Sequence, residues 1–191
     1  MTSCANLSNS TSGLGSDTQP KMTSSFVIRL ATPSDWPKLW PILKTTFASG
    51  DTYPFLPSST EQEIQQAWML NPKATYVAVN TQGDLLGTYY IKPNQVGLGA
   101  HVSNCGYVVS PLARHMGVAT SLCVHSQEEA IRMGFRAMQF NLVVSTNERA
   151  FRLWQHLGFE VVGRLPGAFH HLELGDVDAF VLYKRLIPIG N

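Results

Sequence analysis

The pattern of apolar and polar positions divides the chain, from Phe26 onward, into short strands and amphipathic helices. Short β-prone runs occupy 26–31, 75–79, 85–91, 102–109, 137–144, 159–162 and 179–183. Apolar residues recur at helical spacing over 36–49, 60–68, 118–133 and 147–157. The helix over 118–133 lies between two strands, and such a unit joins parallel strands by a right-handed crossover. The pattern therefore predicts an α/β fold in which helices cover a mixed sheet.

Composition separates a polar N-terminal tail from one globular domain. Residues 2–25 are rich in Ser, Thr, Asn and Gly, which predicts a disordered tail over 1–25 and a domain over 26–187. Of the 191 residues, 44% are hydrophobic and 14% are charged, a balance typical of a globular protein with its own core. The formal net charge is only +1, so neither nucleic acid nor a membrane surface is predicted as a partner.

The cysteines and the apolar runs indicate a compartment. The three cysteines, Cys4, Cys105 and Cys123, are too few and too scattered for a disulfide framework, and they fit a reducing environment. No apolar run approaches the ~20 residues that span a bilayer, and the N-terminus lacks the pattern of a secretory signal. These features predict a cytoplasmic protein.

The sharpest local feature is the segment 114–120, Arg-His-Met-Gly-Val-Ala-Thr, between a strand and a long helix. Gly117 permits a close approach of the backbone, and the free amides and dipole of a helix N-terminus attract a pyrophosphate. Arg114 adds a local positive charge. Neither the G-x-x-x-x-G-K-[ST] loop nor the G-x-G-x-x-G fingerprint occurs in the chain. Taken alone, a glycine before a helix is more often an ordinary turn residue.

Two motifs resemble those of the GNAT acetyltransferase superfamily. The acetyl-CoA motif of that family is Gln or Arg, two residues, Gly, one residue, and Gly or Ala, matched here by Arg114, Gly117 and Ala119. Its second signature is an Asn after the fifth strand, then an Ala, an aromatic residue and Gly-Phe, matched here by Asn147, Ala150, Trp154 and Gly158-Phe159. The resemblance extends over roughly residues 26–186.

This resemblance implies the GNAT fold, a mixed and mostly antiparallel twisted sheet of about seven strands with about four helices. The fourth and fifth strands are parallel and splay apart, and the pantetheine arm of acetyl-CoA, the implied cofactor, lies between them like an added strand. The implied pantetheine contacts are Tyr107, Val108, Val109 and Asn147, with Trp154 beside them. The implied pyrophosphate contacts are Arg114, His115, Met116, Gly117, Val118, Ala119 and Thr120. Asn147 has the alternative, compatible role of a helix N-cap.

Several longer stretches resemble a narrower group, the fungal N-acetyltransferases that act on azetidine-2-carboxylate and related proline analogues. These stretches are 49–54, 86–94, 103–107, 140–143, 146–147 and 177–179. The group places substrate-binding asparagines at positions that correspond to Asn104 and Asn141, and it suggests a homodimer. An asparagine amide suits an imino acid because it can donate to a carboxylate and accept from an amine. Alternatively, both asparagines satisfy backbone groups where the strands separate.

The catalytic groups are less defined than the binding groups. Trp154 stands where many GNAT enzymes carry a general-acid tyrosine, and an indole N–H is a poor acid, so a purely core role is the alternative. The candidate bases are Asp51, His170, His171, Glu173, Asp176 and Asp178. The histidine pair is interpreted as part of a surface loop, and no metal site is predicted. Cys105 is interpreted as a buried hydrophobe rather than an acetylated nucleophile. We therefore expect direct transfer in a ternary complex, supported by orientation and by backbone of the fourth strand.

Three functions fit this sequence. The first is transfer of an acetyl group to the amino group of a small molecule, with a proline-like imino acid as the narrower expectation. The second keeps the chemistry but makes the acceptor a protein N-terminus or a lysine, and the third is a non-catalytic acyl-CoA sensor. The aromatic residues and prolines between the first strand and the second helix indicate a closed lid rather than an open peptide groove, which favours the small amine.

Overall fold

The computed structural model describes residues 26–187, and the predicted tail, 1–25, lies outside the described residues. The strands are β1 Phe26–Leu30, β2 Ala74–Asn80, β3 Leu85–Pro93, β4 Val102–Val109, β5 Ala137–Val144, β6 Glu160–His171 and β7 Gly175–Arg185. The helices are α1 Trp36–Ala48, α2 Glu61–Gln65, α3 Val118–Arg132 and α4 Glu148–His156. A π-helical turn, Gln66–Leu70, directly continues α2.

All seven strands form one sheet in the order β1-β2-β3-β4-β5-β7-β6. Only the neighbours β4 and β5 are parallel, which confirms the predicted mixed sheet and its crossover through α3. These two strands pair only from Val102 to Asn104, against 137–139 of β5. Just beyond, β5 shifts register against β7 between Phe140 and Val143, and such a bulge bends its strand. A cleft therefore opens between β4 and β5.

Helices cover both faces of this sheet, since successive strand residues point to opposite sides. On one face α3 and α4 pack through a cluster that includes Leu122, Met138 and Leu182. On the other face α1 and the π-helical turn after α2 pack through Leu39 and Trp68, both fully buried. Each face thus has its own core, and the cleft lies between the two layers.

Predicted helix signals appear at both ends of α3 and at the start of α2. Thr60 and Glu63 form the predicted capping box, in which the Glu63 carboxylate accepts from the Thr60 amide at 2.8 Å. Gly117 precedes α3 with a φ of 76°, and Gly134 follows it with a φ of 89°. Both glycines adopt the left-handed conformation that a side chain disfavours, so they fix where α3 begins and ends.

The hairpin of β6 and β7 differs from the prediction. The expected strands at 159–162 and 179–183 are parts of much longer ones, because Pro166, Gly167 and two register shifts hide the period of two. The histidine pair consequently lies on β6 and not in a surface loop. His171 is buried and its Nδ1 accepts from the amides of Glu173 and Leu174 at 3.2 and 3.3 Å, which stabilises the turn.

Candidate active site

Two cavities meet at the cleft between β4 and β5. The larger, about 660 Å³, lies between the end of β4, the turn before α3, and α4. The smaller, about 340 Å³, lies between the strands and the loop that follows α1. Four residues line both cavities, namely Tyr107, Asn147, Ala150 and Trp154. A single layer of side chains therefore separates the two spaces.

The turn before α3 opens its backbone toward the larger cavity. His115, with a φ of 65°, and Gly117 are both left-handed, and a non-glycine residue adopts this conformation only under strain. A Cβ on Gly117 would meet no atom within 4 Å apart from its neighbours in the chain, so the space beside this glycine is open. The free amides at the start of α3 and the exposed Arg114 suit a pyrophosphate there. The turn fits the cofactor that the motif implies.

Backbone of β4 faces the cleft at alternate residues. The Ser110 amide donates to the Leu86 carbonyl, and the Asn94 amide donates to the Val102 carbonyl. Because bonded pairs alternate along an antiparallel ladder, the even-numbered residues of β4 are the ones whose backbone groups bond to β3. The backbone groups of Cys105, Tyr107 and Val109 therefore point toward the cleft. Val108 differs from the prediction, because its backbone is bonded to β3 and its side chain is 2% exposed in the core.

Most of the predicted cofactor residues line the larger cavity. These are Tyr107, Val109, Arg114, His115, Gly117, Val118, Ala119, Thr120, Asn147 and Trp154. Met116 does not line it and packs against the core beside α3. Asn147 caps α4, since its Oδ1 accepts from the Ala150 amide at 3.2 Å, while its side chain still reaches both cavities.

Trp154 forms part of the wall between the cavities. Its ring is 8% exposed and packs at centroid distances of 5.0 Å from Tyr107 and 5.2 Å from Phe140. Such aromatic packing orients a ring firmly. The residue thus belongs to the core and also lines both cavities, and its contact with the cofactor stays a prediction.

Both predicted substrate asparagines line the smaller cavity, but their amides bond to other residues of the protein. Buried Asn104 donates to the Gln139 carbonyl at 2.9 Å and accepts from the Tyr90 hydroxyl at 3.3 Å. Exposed Asn141 donates to Asn94 at 2.7 Å and accepts from the Gln139 side chain at 2.9 Å. Asn104 therefore holds β5 at the last paired residue before the cleft, and its contact with substrate stays a prediction.

Aromatic packing places the loop that lines one side of the smaller cavity. Tyr53 and Phe55 of this loop pack against Phe47 at 5.0 and 4.6 Å, and Trp68 packs edge-on against Tyr90 at 4.9 Å. The Tyr53 hydroxyl donates to the Tyr107 carbonyl at 2.9 Å, which ties the loop to the cleft-facing edge of β4. The only signal for these residues in the sequence was the Tyr-Pro-Phe run at 53–55.

The tyrosine and cysteine side chains that line the smaller cavity do not titrate near neutral pH. Burial raises the pKa of Tyr53 and of Tyr107 well above the usual range, and it raises the pKa of Tyr90 to about 12. Burial also raises the pKa of the Cys105 thiol, so this cysteine is not a ready nucleophile. The one charged residue among the described residues that line the cavity is Lys92.

None of the predicted bases lines either cavity among the described residues. The six are Asp51, His170, His171, Glu173, Asp176 and Asp178. His170 pairs with Asp176 at 2.7 Å on the exposed hairpin. The Gly167 amide and Arg164 bond to the Asp178 carboxylate and lower its pKa. Within 26–187, no group of three or more His, Cys, Asp or Glu is arranged to hold a metal ion, and no helix is long and apolar enough to cross a membrane.

Comparison with known proteins agrees with this geometry. The model of the Acetyltransferase (GNAT) family matches residues 36–159. A GCN5-related N-acetyltransferase structure from Kribbella flavida is 40% identical, with a TM-score of 0.79 over 84% of this chain and 97% of its own. A phosphinothricin acetyltransferase from Sinorhizobium meliloti, solved with acetyl-CoA, shares the fold at 18% identity and a TM-score of 0.75, over 84% of this chain and 88% of its own.

A curated relative adds a fungal protein to this comparison. N-acetyltransferase aca1 of Schizosaccharomyces pombe is 37% identical over 123 residues, which are 61% of this chain and 56% of that protein. The matched part thus spans little more than half of the length of this relative. With two thirds of the chain inside the family model and a 40% identical structure covered almost completely, the chain belongs to the GNAT family of acetyl-CoA-dependent N-acetyltransferases.

Proposed function

We propose that the chain transfers the acetyl group of acetyl-CoA to the amino group of a small molecule, with a proline-like imino acid as the acceptor. The observation that carries this proposal is the meeting of two cavities at the cleft between β4 and β5. One cavity offers backbone amides for an anionic donor, and the other is small, lined by aromatic side chains and bordered by a loop. Such a pair of sites holds two reactants against each other.

The larger cavity suits the donor. Amides at the start of α3 and the Arg114 side chain would hold the pyrophosphate, and the open space beside Gly117 leaves room for it. Cleft-facing backbone of Tyr107 and Val109 would bond the pantetheine arm as an added strand. When bound, acetyl-CoA would supply an activated thioester, and its acetyl group would reach the junction of the cavities.

The smaller cavity suits a compact acceptor. Its volume of about 340 Å³ is at the low end for small-molecule sites, and the loop with Tyr53 and Phe55 forms part of its wall. An extended peptide needs an open groove, which this loop would obstruct. The amides of Asn104 and Asn141 lie on its wall, where they suit the polar ends of an imino acid.

The chemistry asks little of titrating side chains. The neutral amine nitrogen attacks the acetyl carbon, the new C–N bond replaces the C–S bond, and the amine proton reaches the departing thiolate through water. The cleft-facing amide of Tyr107 would donate to the acetyl oxygen as it gains charge. Because none of the tyrosines or the cysteine of the cavity ionises near neutrality, we assign the main catalytic effect to orientation.

Release of the CoA thiol tests this function. The purified full chain would be mixed with acetyl-CoA and, separately, L-azetidine-2-carboxylate, L-proline, a diamine and a pool of peptides, with an acceptor-free sample as the control for hydrolysis. We expect thiol release with the imino acids well above the control. Release with peptides alone would indicate a protein acetyltransferase instead. Tight acetyl-CoA binding without release for any acceptor would indicate a sensor.

A further inference from the structure

Lys92 lies beside the branch point of the two parallel strands. It is directly opposite Asn104 in the pairing of β3 with β4, and it is half-buried on the wall of the smaller cavity. Its Nζ lies 5.5 Å from the centroid of the Tyr90 ring, and the hydroxyl of that ring donates to Asn104. The aromatic ring thus supports the lysine against the same wall that carries Asn104.

The positive charge of Lys92 has no acidic partner in this cavity. The ion pairs among residues 26–187 involve other side chains, and no Asp, Glu or His is among the described residues that line the space. The attraction between a cation and an anion is stronger in a partly buried site than in open water. A bound anion at this end of the cavity would therefore be held by charge as well as by shape.

We propose that Lys92 binds the carboxylate of the acceptor and restricts acetylation to free amino or imino acids. This inference rests on the proposed function, because it names the acceptor class of the same cavity. Along β4, Asn104 and Tyr107 are three residues apart, about 10 Å. A compact amino acid with its carboxylate toward Lys92 points its amine toward the cleft-facing backbone of Tyr107, where the acetyl group would lie.

The same charge selects against other amines. A diamine or a peptide lysine would bring a positive charge close to that of Lys92, and no carboxylate among the described lining residues would balance the two charges. A peptide N-terminus has an amide in place of the carboxylate beside its amine, so it offers Lys92 no anion. The acceptor amine must be neutral to attack, and a nearby cation favours that neutral form.

The test compares an acid with its amide. Thiol release would be measured with L-azetidine-2-carboxylate and with the corresponding carboxamide, for the wild type, Lys92→Gln, Lys92→Glu and Lys73→Gln. Lys73 is a matched control, since its Nζ lies 5.3 Å from the Phe135 ring and it lines neither cavity. The melting temperature and the acetyl-CoA affinity of each variant would be measured in parallel.

We expect the wild type and Lys73→Gln to prefer the acid by about ten- to a hundredfold in kcat/KM, the range for one lost charged hydrogen bond. Lys92→Gln should reduce this ratio to within a few-fold, mainly through KM, and Lys92→Glu should reverse it. Equal kcat/KM for acid and amide in the wild type would overturn the inference and leave the proposed function intact. A preference for the acid that is unchanged in Lys92→Gln would have the same meaning. Acetyl-CoA binding without acetylation of any small amine would overturn both.

Discussion

The two cavities that meet at the cleft are built in different ways. The larger one takes most of its lining from one continuous segment, 107–120, and presents backbone amides and a glycine. The smaller one takes side chains from the loop after α1, from β3, β4 and β5, and from α4. In the proposed function, donor recognition would therefore be a local property of one turn, whereas acceptor recognition would depend on tertiary packing. The predictions below are ordered by their expected effect on this contrast.

Gly117→Val should have the largest effect. A side chain at this position would fill the space beside the α3 amides and displace the pyrophosphate, so we expect acetyl-CoA affinity to fall by about a hundredfold or more, equivalent to losing two charged hydrogen bonds. Calorimetry measures the affinity. Gly134→Val is the matched control, because it has the same left-handed strain and equally open surroundings at the far end of α3. Equal losses of affinity in both variants would mean that strain, not the lost phosphate site, is responsible.

Replacing the asparagines should affect the acceptor rather than the donor. We expect Asn104→Ala and Asn141→Ala each to lower kcat/KM for the imino acid by about ten- to a hundredfold while acetyl-CoA affinity stays unchanged. Asn104→Ala should also lower the melting temperature, since it removes a buried bond that holds β5. Asn141 is exposed, so its variant should leave stability nearly unchanged. Normal kinetics in both variants would make the asparagines structural.

The pH dependence of turnover should follow the acceptor rather than the protein. The raised pKa values of Tyr53, Tyr90 and Cys105 keep these groups protonated from pH 6 to 9. None of them should therefore cause kcat/KM to rise with pH in that range. Below the pKa of the acceptor amine, kcat/KM should rise about tenfold per pH unit, because only the neutral amine attacks. An acceptor with a less basic amine should shift the profile to lower pH. A profile that does not move would indicate a titrating group of the enzyme.

Cys105→Ala should have the smallest effect. Burial keeps the thiol of Cys105 protonated, and direct transfer does not use it, so turnover should stay within a few-fold of the wild type. Mass spectrometry after mixing with acetyl-CoA alone should find no acetylated cysteine. Accumulation of acetyl-Cys105, or its loss together with turnover in the variant, would contradict direct transfer.

The order of helices and strands and the turn before α3 were predictable because they depend on short-range signals. The capping box at Thr60, the glycines around α3 and the strand periods all act within a few residues. The smaller cavity was harder to predict, because Tyr53 and Lys92 come to line the same space only when distant segments of the chain pack together. The inner halves of β6 and β7 were missed where register shifts break the alternation. The cytoplasmic location and the homodimer stay predictions.

The shared wall of Tyr107 and Trp154 has a thermodynamic consequence. Because these side chains line both cavities, a molecule bound in one cavity contacts residues that also line the other. Their packing at 5.0 Å leaves little freedom for one ring to move without the other. We therefore expect the two substrates to bind with positive coupling and, by reciprocity, each to tighten the other by the same factor. Such linkage would lower the apparent KM for the acceptor as the concentration of acetyl-CoA rises.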